Sequence, residues 1–345
     1  MRNFKLMFLA VLIISTVFLC CGFAKAEPLT EADFESYLQA AEAGDAEAQN
    51  KLGDCYYNGE GIEKDYEKAF EWYQKSGEQG NAAGQTGLGT CYYYGRGTEQ
   101  SYEKAFELWQ KAADQGLAEA QYSLGEYYAN AEVPELDYEK AFGWWQKAGE
   151  QGLEEAQFML GLWYYYGLAP EQSYEKAFEW MAKAAEQGFA LAQHNLAYRC
   201  YYGEGTDMDY TKAYEWWKKA AEQGLAEAQV KLADCYFLGD GTDVDYAKAF
   251  EWYGKAAEEG IAYAQNSVGN CYYLGEGTDV DFEKAFEWYQ KAAEQDYSYA
   301  QYNLGNCYFN GEGTDVDIDK AVEWYQKAAD QGHEDAAAEL TNLGK

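Results

Sequence analysis

The sequence is poor in proline, in histidine and in basic residues. It contains 3 prolines and 2 histidines among 345 residues, and its 26 lysines and arginines stand against 60 aspartates and glutamates, which gives a formal net charge of −34. A chain this acidic repels nucleic-acid backbones and anionic lipid surfaces. The charge therefore argues against a nucleic-acid partner.

Motifs of common enzymes and metal sites are also missing. His194 and His333 lie far apart in the chain, and neither an H-E-x-x-H nor a paired C-x-x-C motif occurs. Zinc sites depend on such spacings, so the sequence offers no metal site. G-x-S-x-G and Walker-type loops are absent as well, and no cofactor-binding motif is present. We interpret the many glutamates as solvated helix faces.

The composition nevertheless indicates a folded, helical chain. Hydrophobic residues make up 48% and aromatic residues 18%, whereas a disordered acidic chain would be poor in aromatics. Few prolines favour helices, and 35 glycines require those helices to be short and often interrupted.

Residues 1–26 differ from the rest of the chain. Arg2 and Lys5 precede an apolar run from Leu6 to Leu19, and small residues at the A-x-A spacing end at Ala26. This pattern predicts a secretory signal peptide that is cleaved after Ala26. We therefore expect an exported protein, periplasmic or secreted.

Two alternatives remain for this segment. The apolar run is near the lower length limit for a membrane span, so an uncleaved anchor would tie the protein to the membrane through this segment alone. Cys20 and Cys21 would suit a lipoprotein site, but the large residues Phe18 and Leu19 precede them where such sites favour small ones.

Residues 44–331 consist of one 36-residue unit written eight times, which we call repeats 1 to 8. A helix-ending residue, glycine in all positions but one, recurs without insertions at Gly44, Gly80, Gly116, Gly152, Gly188, Gly224, Gly260, Asp296 and Gly332. Each unit has the periodicity of a first helix, a glycine loop and a second helix. The second helices are predicted to begin at capping residues, namely Asp65, Ser101, Asp137, Ser173, Asp209, Asp245, Asp281 and Asp317.

The two ends of the array are incomplete repeats. Residues 27–43 are predicted to form a capping half-repeat whose single helix starts with a capping box from Thr30 to Asp33. Residues 332–345 are predicted to form a capping helix. Such ends cover the apolar faces of terminal repeats. The fold class is therefore all-α, a right-handed α-solenoid of about eighteen short helices with one concave face.

The unit resembles a known repeat family. Its consensus reads A-x-x-x-L-G-x-C-Y-x-x-G-x-G-T-x-x-D-x-x-K-A-F-x-W-x-x-K-A-A-x-x-G, which is similar to the Sel-one-like repeat, a longer relative of the tetratricopeptide repeat. The resemblance covers residues 44–331 and implies a non-enzymatic adaptor or scaffold for other proteins. Repeat 3 departs from it, because Ala131 and Val133 replace its two loop glycines, and repeat 4 has Ala169 at the second position. We expect altered loops there.

Cysteine occurs at most once per repeat. Signal cleavage would leave six, namely Cys55, Cys91, Cys200, Cys235, Cys271 and Cys307. Export and an even count favour a disulfide framework. Equivalent positions in stacked helices lie about 10 Å apart, however, and a disulfide requires Cα atoms within roughly 4.4–6.8 Å. We expect buried, unpaired thiols, with pairing to a partner protein as the alternative.

Two short motifs raise an enzymatic alternative. Ser101 and Ser173 each precede a lysine at the S-x-x-K spacing of penicillin-recognising enzymes, Lys104 and Lys176 respectively. β-Lactam binding or another hydrolase activity is therefore the alternative function. Six other repeats place aspartate at the same position, and aspartate replaces serine as a helix cap but not as a nucleophile. We expect both serines to be caps.

Candidate partner-binding residues come from comparing the repeats with one another. We call a set of equivalent residues, spaced by 36 in successive repeats, a column. The first-helix columns that begin at residues 50, 51, 54 and 58 vary in residue type, and in repeats 3 to 5 they become apolar and aromatic. The strip we assign to a partner protein or peptide comprises Tyr122, Phe158, Leu162, His194, Tyr198 and Arg199. We predict that at least Tyr122, Phe158, His194 and Tyr198 are solvent-accessible on the concave face, where an acidic rim favours a basic partner. Packing of these aromatics between adjacent first helices is the alternative.

Overall fold

The structure is a computed structural model that describes residues 29–130, 132–133 and 136–344. The predicted signal segment and Ala131 lie outside the described residues. Regular structure in the described part of the chain consists of eighteen α-helices, without strands. Their bounds are α1 Glu31–Glu42, α2 Ala46–Asn58, α3 Tyr66–Glu78, α4 Ala82–Tyr94, α5 Tyr102–Asp114, α6 Ala118–Ala129, α7 Tyr138–Glu150, α8 Glu154–Tyr166, α9 Tyr174–Glu186, α10 Ala190–Tyr202, α11 Tyr210–Glu222, α12 Ala226–Leu238, α13 Tyr246–Glu258, α14 Ala262–Leu274, α15 Phe282–Ala293, α16 Ser298–Asn310, α17 Ile318–Asp330 and α18 Glu334–Asn342.

The chain divides into two compact units, with the boundary in the sequence between Ala192 and Gln193. Within each unit, consecutive helices pack side by side as helix-turn-helix repeats, so the all-α solenoid class is confirmed. The even-numbered helices α2 to α16 are the first helices of the eight repeats, and the odd-numbered helices α3 to α17 are the second helices. None of the described helices is both long and apolar enough to cross a membrane.

Local sequence determines where each helix begins and ends. All eight predicted caps of the second helices accept a hydrogen bond from the backbone N–H three residues later, as Asp245 Oδ1 does from Lys248 at 3.0 Å. The first helix α2 ends at Gly59, which adopts the left-handed conformation with φ of 78°. Helix α1 begins with the predicted capping box, in which Thr30 N donates to Asp33 Oδ2 at 2.9 Å and Asp33 N donates to Thr30 Oγ1 at 3.3 Å.

The loop of repeat 3 differs from that of repeat 2, as its sequence predicts. In repeat 2, a Cβ at the second loop glycine, Gly97, would lie 2.1 Å from the carbonyl oxygen of Tyr66. Repeat 3 has Val133 at that position, so its loop cannot follow the same path. Helix α6 stops at Ala129, and Asn130 is extended rather than left-handed.

The core consists of small residues on one helix and a large ring on its neighbour. In repeat 2, Ala105 is fully buried, and a Cβ at Gly89 would lie 2.7 Å from the Trp109 ring. Seven second helices carry a half-buried tryptophan at the position equivalent to Trp72. The lysine three residues after each of these tryptophans places its ammonium 3.7–3.9 Å from the centroid of the tryptophan ring. Another seven lysines lie over first-helix tyrosines at 4.8–5.4 Å. Many of the few cations are therefore held against aromatic rings.

The six cysteines that lie in the described part of the chain are free and buried, as predicted. Burial raises the pKa of the Cys91 thiol to about 12. A thiol with so high a pKa stays protonated and behaves as a small apolar core residue.

A chain of glutamines links successive helices. In repeat 4, Gln187 Nε2 donates to Gln157 Oε1 at 2.8 Å, and Gln157 Nε2 donates to the carbonyl of Gly149 at 3.0 Å. Most repeats have the same bond between a glutamine after the second helix and a glutamine in the first helix. This buried polar link sets the spacing of the two helices, because an unpaired buried amide is costly.

Candidate functional site

The first helices of repeats 2 to 4, all in the first unit, border an open cavity of about 260 Å³. We call it the acidic cavity. Its lining residues are Thr86, Thr90 and Tyr94 from α4, Trp109 from α5, Glu119, Tyr122, Ser123 and Glu126 from α6, Glu155 from α8, and Leu153 just before α8. Three of these ten side chains are carboxylic acids and three are aromatic.

Helix packing determines where the walls lie. The Trp109 indole Nε1 donates to the carbonyl of Thr86 at 3.1 Å, which ties α5 to α4. The Trp145 indole on α7 likewise donates to the carbonyl of Tyr122 at 3.2 Å. Each ring is buried in the groove between two helices. The side chains that border the cavity are thus carried by helices held in place by buried tryptophans.

Glu126 is the most deeply buried acid in the cavity, with 5% of its surface exposed. Burial raises the pKa of Glu126 well above its ordinary range. The hydrogen bond from the Tyr122 hydroxyl lowers this pKa in part, and the nearby charge of Glu155 raises it further. Burial also raises the pKa of Glu155. Glu119 is exposed at the rim. Our interpretation of the glutamates as solvated faces is therefore wrong for Glu126, which lies in the varying column that begins at residue 54.

The predicted strip does not form one exposed surface. Tyr122 is half-buried and lines the acidic cavity. Phe158 is buried, and so is Leu162. The prediction that Phe158 is accessible is wrong, because its ring packs edge-on against Phe189 at 5.3 Å between ring centroids. The alternative, that these aromatics pack between adjacent first helices, is correct for Phe158 in that the ring is buried, although its partner Phe189 lies just before helix α10 rather than on it.

The other three predicted residues belong to the second unit. His194 and Tyr198 are half-buried and contact each other, with 5.1 Å between ring centroids. Burial, together with the nearby charge of Lys231, lowers the pKa of His194 to about 4, so this ring is neutral at pH 7. Arg199 is buried and forms an ion pair with Glu204 at 3.0 Å. It is therefore committed to its own loop and does not present a free guanidinium.

The two S-x-x-K motifs form helix caps, as predicted. Ser101 Oγ accepts from Lys104 N at 3.3 Å, while the Lys104 ammonium lies over the ring of Tyr92 at 4.8 Å. Ser173 Oγ accepts from Lys176 N at 3.2 Å, and the Lys176 ammonium pairs with Glu171. Each lysine ammonium thus interacts with a group other than its serine. A nucleophilic serine would require that lysine, or another base, within hydrogen-bond distance of its hydroxyl. Nothing in the structure supports the hydrolase alternative.

Sequence comparison identifies the family. The sequence profile of the Sel1 repeat matches eight consecutive segments, 46–81, 82–117, 118–153, 154–189, 190–225, 226–261, 262–297 and 298–333. No curated protein matches the chain.

Two solved structures are similar over most of the chain. One is a protective antigen present in uropathogenic Escherichia coli strains that displays an SLR fold, with 35% identity, a TM-score of 0.79, and coverage of 90% of this chain and 67% of that one. The other is a Sel1 repeat protein from Oxalobacter formigenes, with 30% identity, a TM-score of 0.63, and coverage of 93% and 96%. Sel1 repeat proteins generally mediate protein–protein interactions and are typically non-catalytic. On the evidence of its eight repeats and its fold, the chain belongs to the Sel1 repeat family.

Proposed function

We propose that the chain is an exported, non-enzymatic scaffold that binds a segment of a partner protein on the first-helix face of repeats 2 to 4. The acidic cavity is the observation that carries this proposal. It combines aromatic walls with convergent polar groups, as binding sites do. The Sel1 repeat family supports a protein as the partner.

Export is supported by the sequence of residues 1–26, which has the basic start, apolar run and small-residue cleavage pattern of a secretory signal. Cell fractionation followed by N-terminal sequencing tests this part of the proposal. The expected result is a chain that begins at Glu27 in the periplasm or the medium. A cytoplasmic chain that retains Met1 would contradict it.

Binding on this face is tested with peptides. A phage-displayed library of random heptapeptides is selected on the full mature chain, and the tightest peptide is used in amide hydrogen-exchange measurements. We expect added protection in α4, α6 and α8. Protection confined to the second helices or to α12, α14 and α16 would contradict the proposed face, and so would failure to select any peptide.

A further inference from the structure

We propose that the acidic cavity is a specificity pocket that takes one lysine or arginine side chain of the bound segment. This inference rests on the proposed function and adds the chemistry of the group that is recognised. It depends on three features of the cavity: the direction of its hydroxyl protons, its uncompensated carboxyls, and its size with aromatic walls.

The hydroxyl groups of the wall offer hydrogen-bond acceptors and few donors. Thr86 Oγ1 donates to the carbonyl of Ala82 at 2.8 Å, Thr90 Oγ1 to that of Thr86 at 3.0 Å, and Ser123 Oγ to that of Glu119 at 3.0 Å. Each proton is thus used within its own helix, and the lone pairs of these oxygens remain available. A ligand that fits this wall must bring donors of its own.

The carboxyl groups have no cation of their own. In the described part of the chain, no ion pair reaches Glu119, Glu126 or Glu155. Glu155 Oε2 is buried without a hydrogen-bond partner. A buried carboxyl that lacks a partner is costly, and a cation from outside would relieve that cost.

The geometry favours an organic cation over a metal ion. Among the described residues, no group of three or more His, Cys, Asp or Glu side chains could hold a metal. The cavity of about 260 Å³ is smaller than the roughly 300–1,000 Å³ of sites for drug-sized ligands, so it suits one side chain. Trp109, Tyr94 and Tyr122 supply rings against which the stem of a lysine or the plane of a guanidinium can pack.

The protonation of the cavity agrees with this assignment. Burial raises the pKa of both Glu126 and Glu155. A bound ammonium or guanidinium would stabilise their charged forms, so that binding releases protons. Affinity for a basic side chain should therefore rise with pH through the range in which these carboxyls titrate.

The test begins with the peptides selected on the wild-type chain. We expect a lysine or arginine at one fixed position of the selected peptides. The tightest peptide is then synthesised with an acetylated N-terminus, so that only a side chain can carry the cation, and its affinity is measured by calorimetry. Replacement of the basic residue by norleucine or citrulline should weaken binding at least tenfold.

Variants of the chain locate the cation within the cavity. Glu126→Gln and, separately, Glu155→Gln should each weaken the acetylated peptide at least fivefold and reduce its salt dependence. Glu227→Gln is the matched control, because Glu227 lies in the same column as Glu155 but is exposed on α12. It should bind as the wild type does. Glu155 lies in the first turn of its helix, so Glu155→Gln still provides an answer if Glu126→Gln fails to fold.

Three results would overturn the inference. The first is a set of selected peptides that share no basic residue. The second is unchanged affinity in both glutamine variants. The third is loss of binding upon acetylation alone, which would show that an α-amine is bound. If the peptide still protects α4, α6 and α8 in any of these cases, the proposed function stands and only the basic-side-chain assignment falls.

Discussion

Glu126 on α6 and Asp234 on α12 occupy the same column of the first helix, in the first and the second unit respectively, and their surroundings differ. Asp234 accepts hydrogen bonds from the Tyr253 and Tyr263 hydroxyls at 2.7 and 3.0 Å, and the Lys231 ammonium lies 2.8 Å from it. No cation reaches Glu126 in the described part of the chain. One acid belongs to a closed network, and the other faces a cavity.

The residue three positions earlier accounts for this difference. Repeat 6 has Lys231 there, and repeat 3 has Ser123. On a helix, side chains three residues apart are neighbours, so the lysine can neutralise the acid and the serine cannot. In these two repeats the residue in this column decides whether the acid is paired within its own helix. In repeat 1, Lys51 stands in the same column but forms its ion pair with Glu47 rather than with Asp54.

Ser123→Lys should therefore convert the first arrangement into the second. The new ammonium would lie where Lys231 lies relative to Asp234, pair with Glu126 and occupy the cavity. We expect the affinity for the basic peptide to fall more than tenfold, measured by calorimetry. Ser267→Lys is the control, since Ser267 lies in the same column in repeat 7 and makes the same bond to its own helix, at 2.9 Å to the carbonyl of Tyr263. Equal losses in both variants would show that the lysine acts by disturbing the helix.

Lys231→Ser makes the opposite exchange in the second unit. It leaves Asp234, whose side chain is 15% exposed, without its cation, and it should lower the free energy of unfolding by about 1–3 kcal/mol. Urea denaturation measures this change. Lys51→Ser, at the same column in repeat 1, removes an exposed pair with Glu47 and a weaker attraction to Asp54, and it should cost less than Lys231→Ser does. If the two variants lose the same free energy of unfolding, the network around Asp234 does not make its ion pair more stabilising than an exposed one.

The pH dependence of stability gives a further distinction. Tyr94, Tyr122, Glu119 and Glu155 line the cavity with Glu126, and all would be neutral or negative. Because burial raises the pKa of Glu126 above its unfolded value, the folded chain holds the extra proton, and stability falls as pH rises above that unfolded value. Without ligand, Glu126→Gln should lose less stability than the wild type as the pH rises above about 4.5. Thermal melts across this range measure it, and parallel curves would show that Glu126 is not protonated in the fold.

Sequence predicted the framework well because the framework is repeated. The capping Asp and Ser residues, the glycine at the end of α2 and the buried thiols follow from local rules that hold in each copy. The binding surface was harder to predict, since variation in a column does not reveal burial. Phe158 varies and is nevertheless buried, because Phe189, in the next repeat, covers it.

Glu126 was missed for a related reason. The column that begins at residue 54 varies, its apolar members alone point to binding, and the general rule that glutamate solvates a helix face fails at Glu126. The sequence did contain a signal, namely an acid in a varying inner column with no lysine three residues before it. The depth of burial, however, depends on Tyr122 and on helices α4 and α8, which only the packed structure brings together.

The smallest expected effect concerns the glutamine links of the two units. In repeat 4, Gln187 donates to Gln157, but repeat 6 has Glu259 at the donor position, and Gln229 Oε1 is buried there without a partner. Glu259→Gln should supply the missing donor and raise the free energy of unfolding by about 0.5–1.5 kcal/mol. Glu258→Gln, one position earlier on an exposed part of α13, is the control for the lost charge. It should change the free energy of unfolding by less than about 0.5 kcal/mol. Equal gains in the two variants would mean that relief of negative charge, rather than the amide bond, is responsible, because both changes remove one acid from a chain of net charge −34.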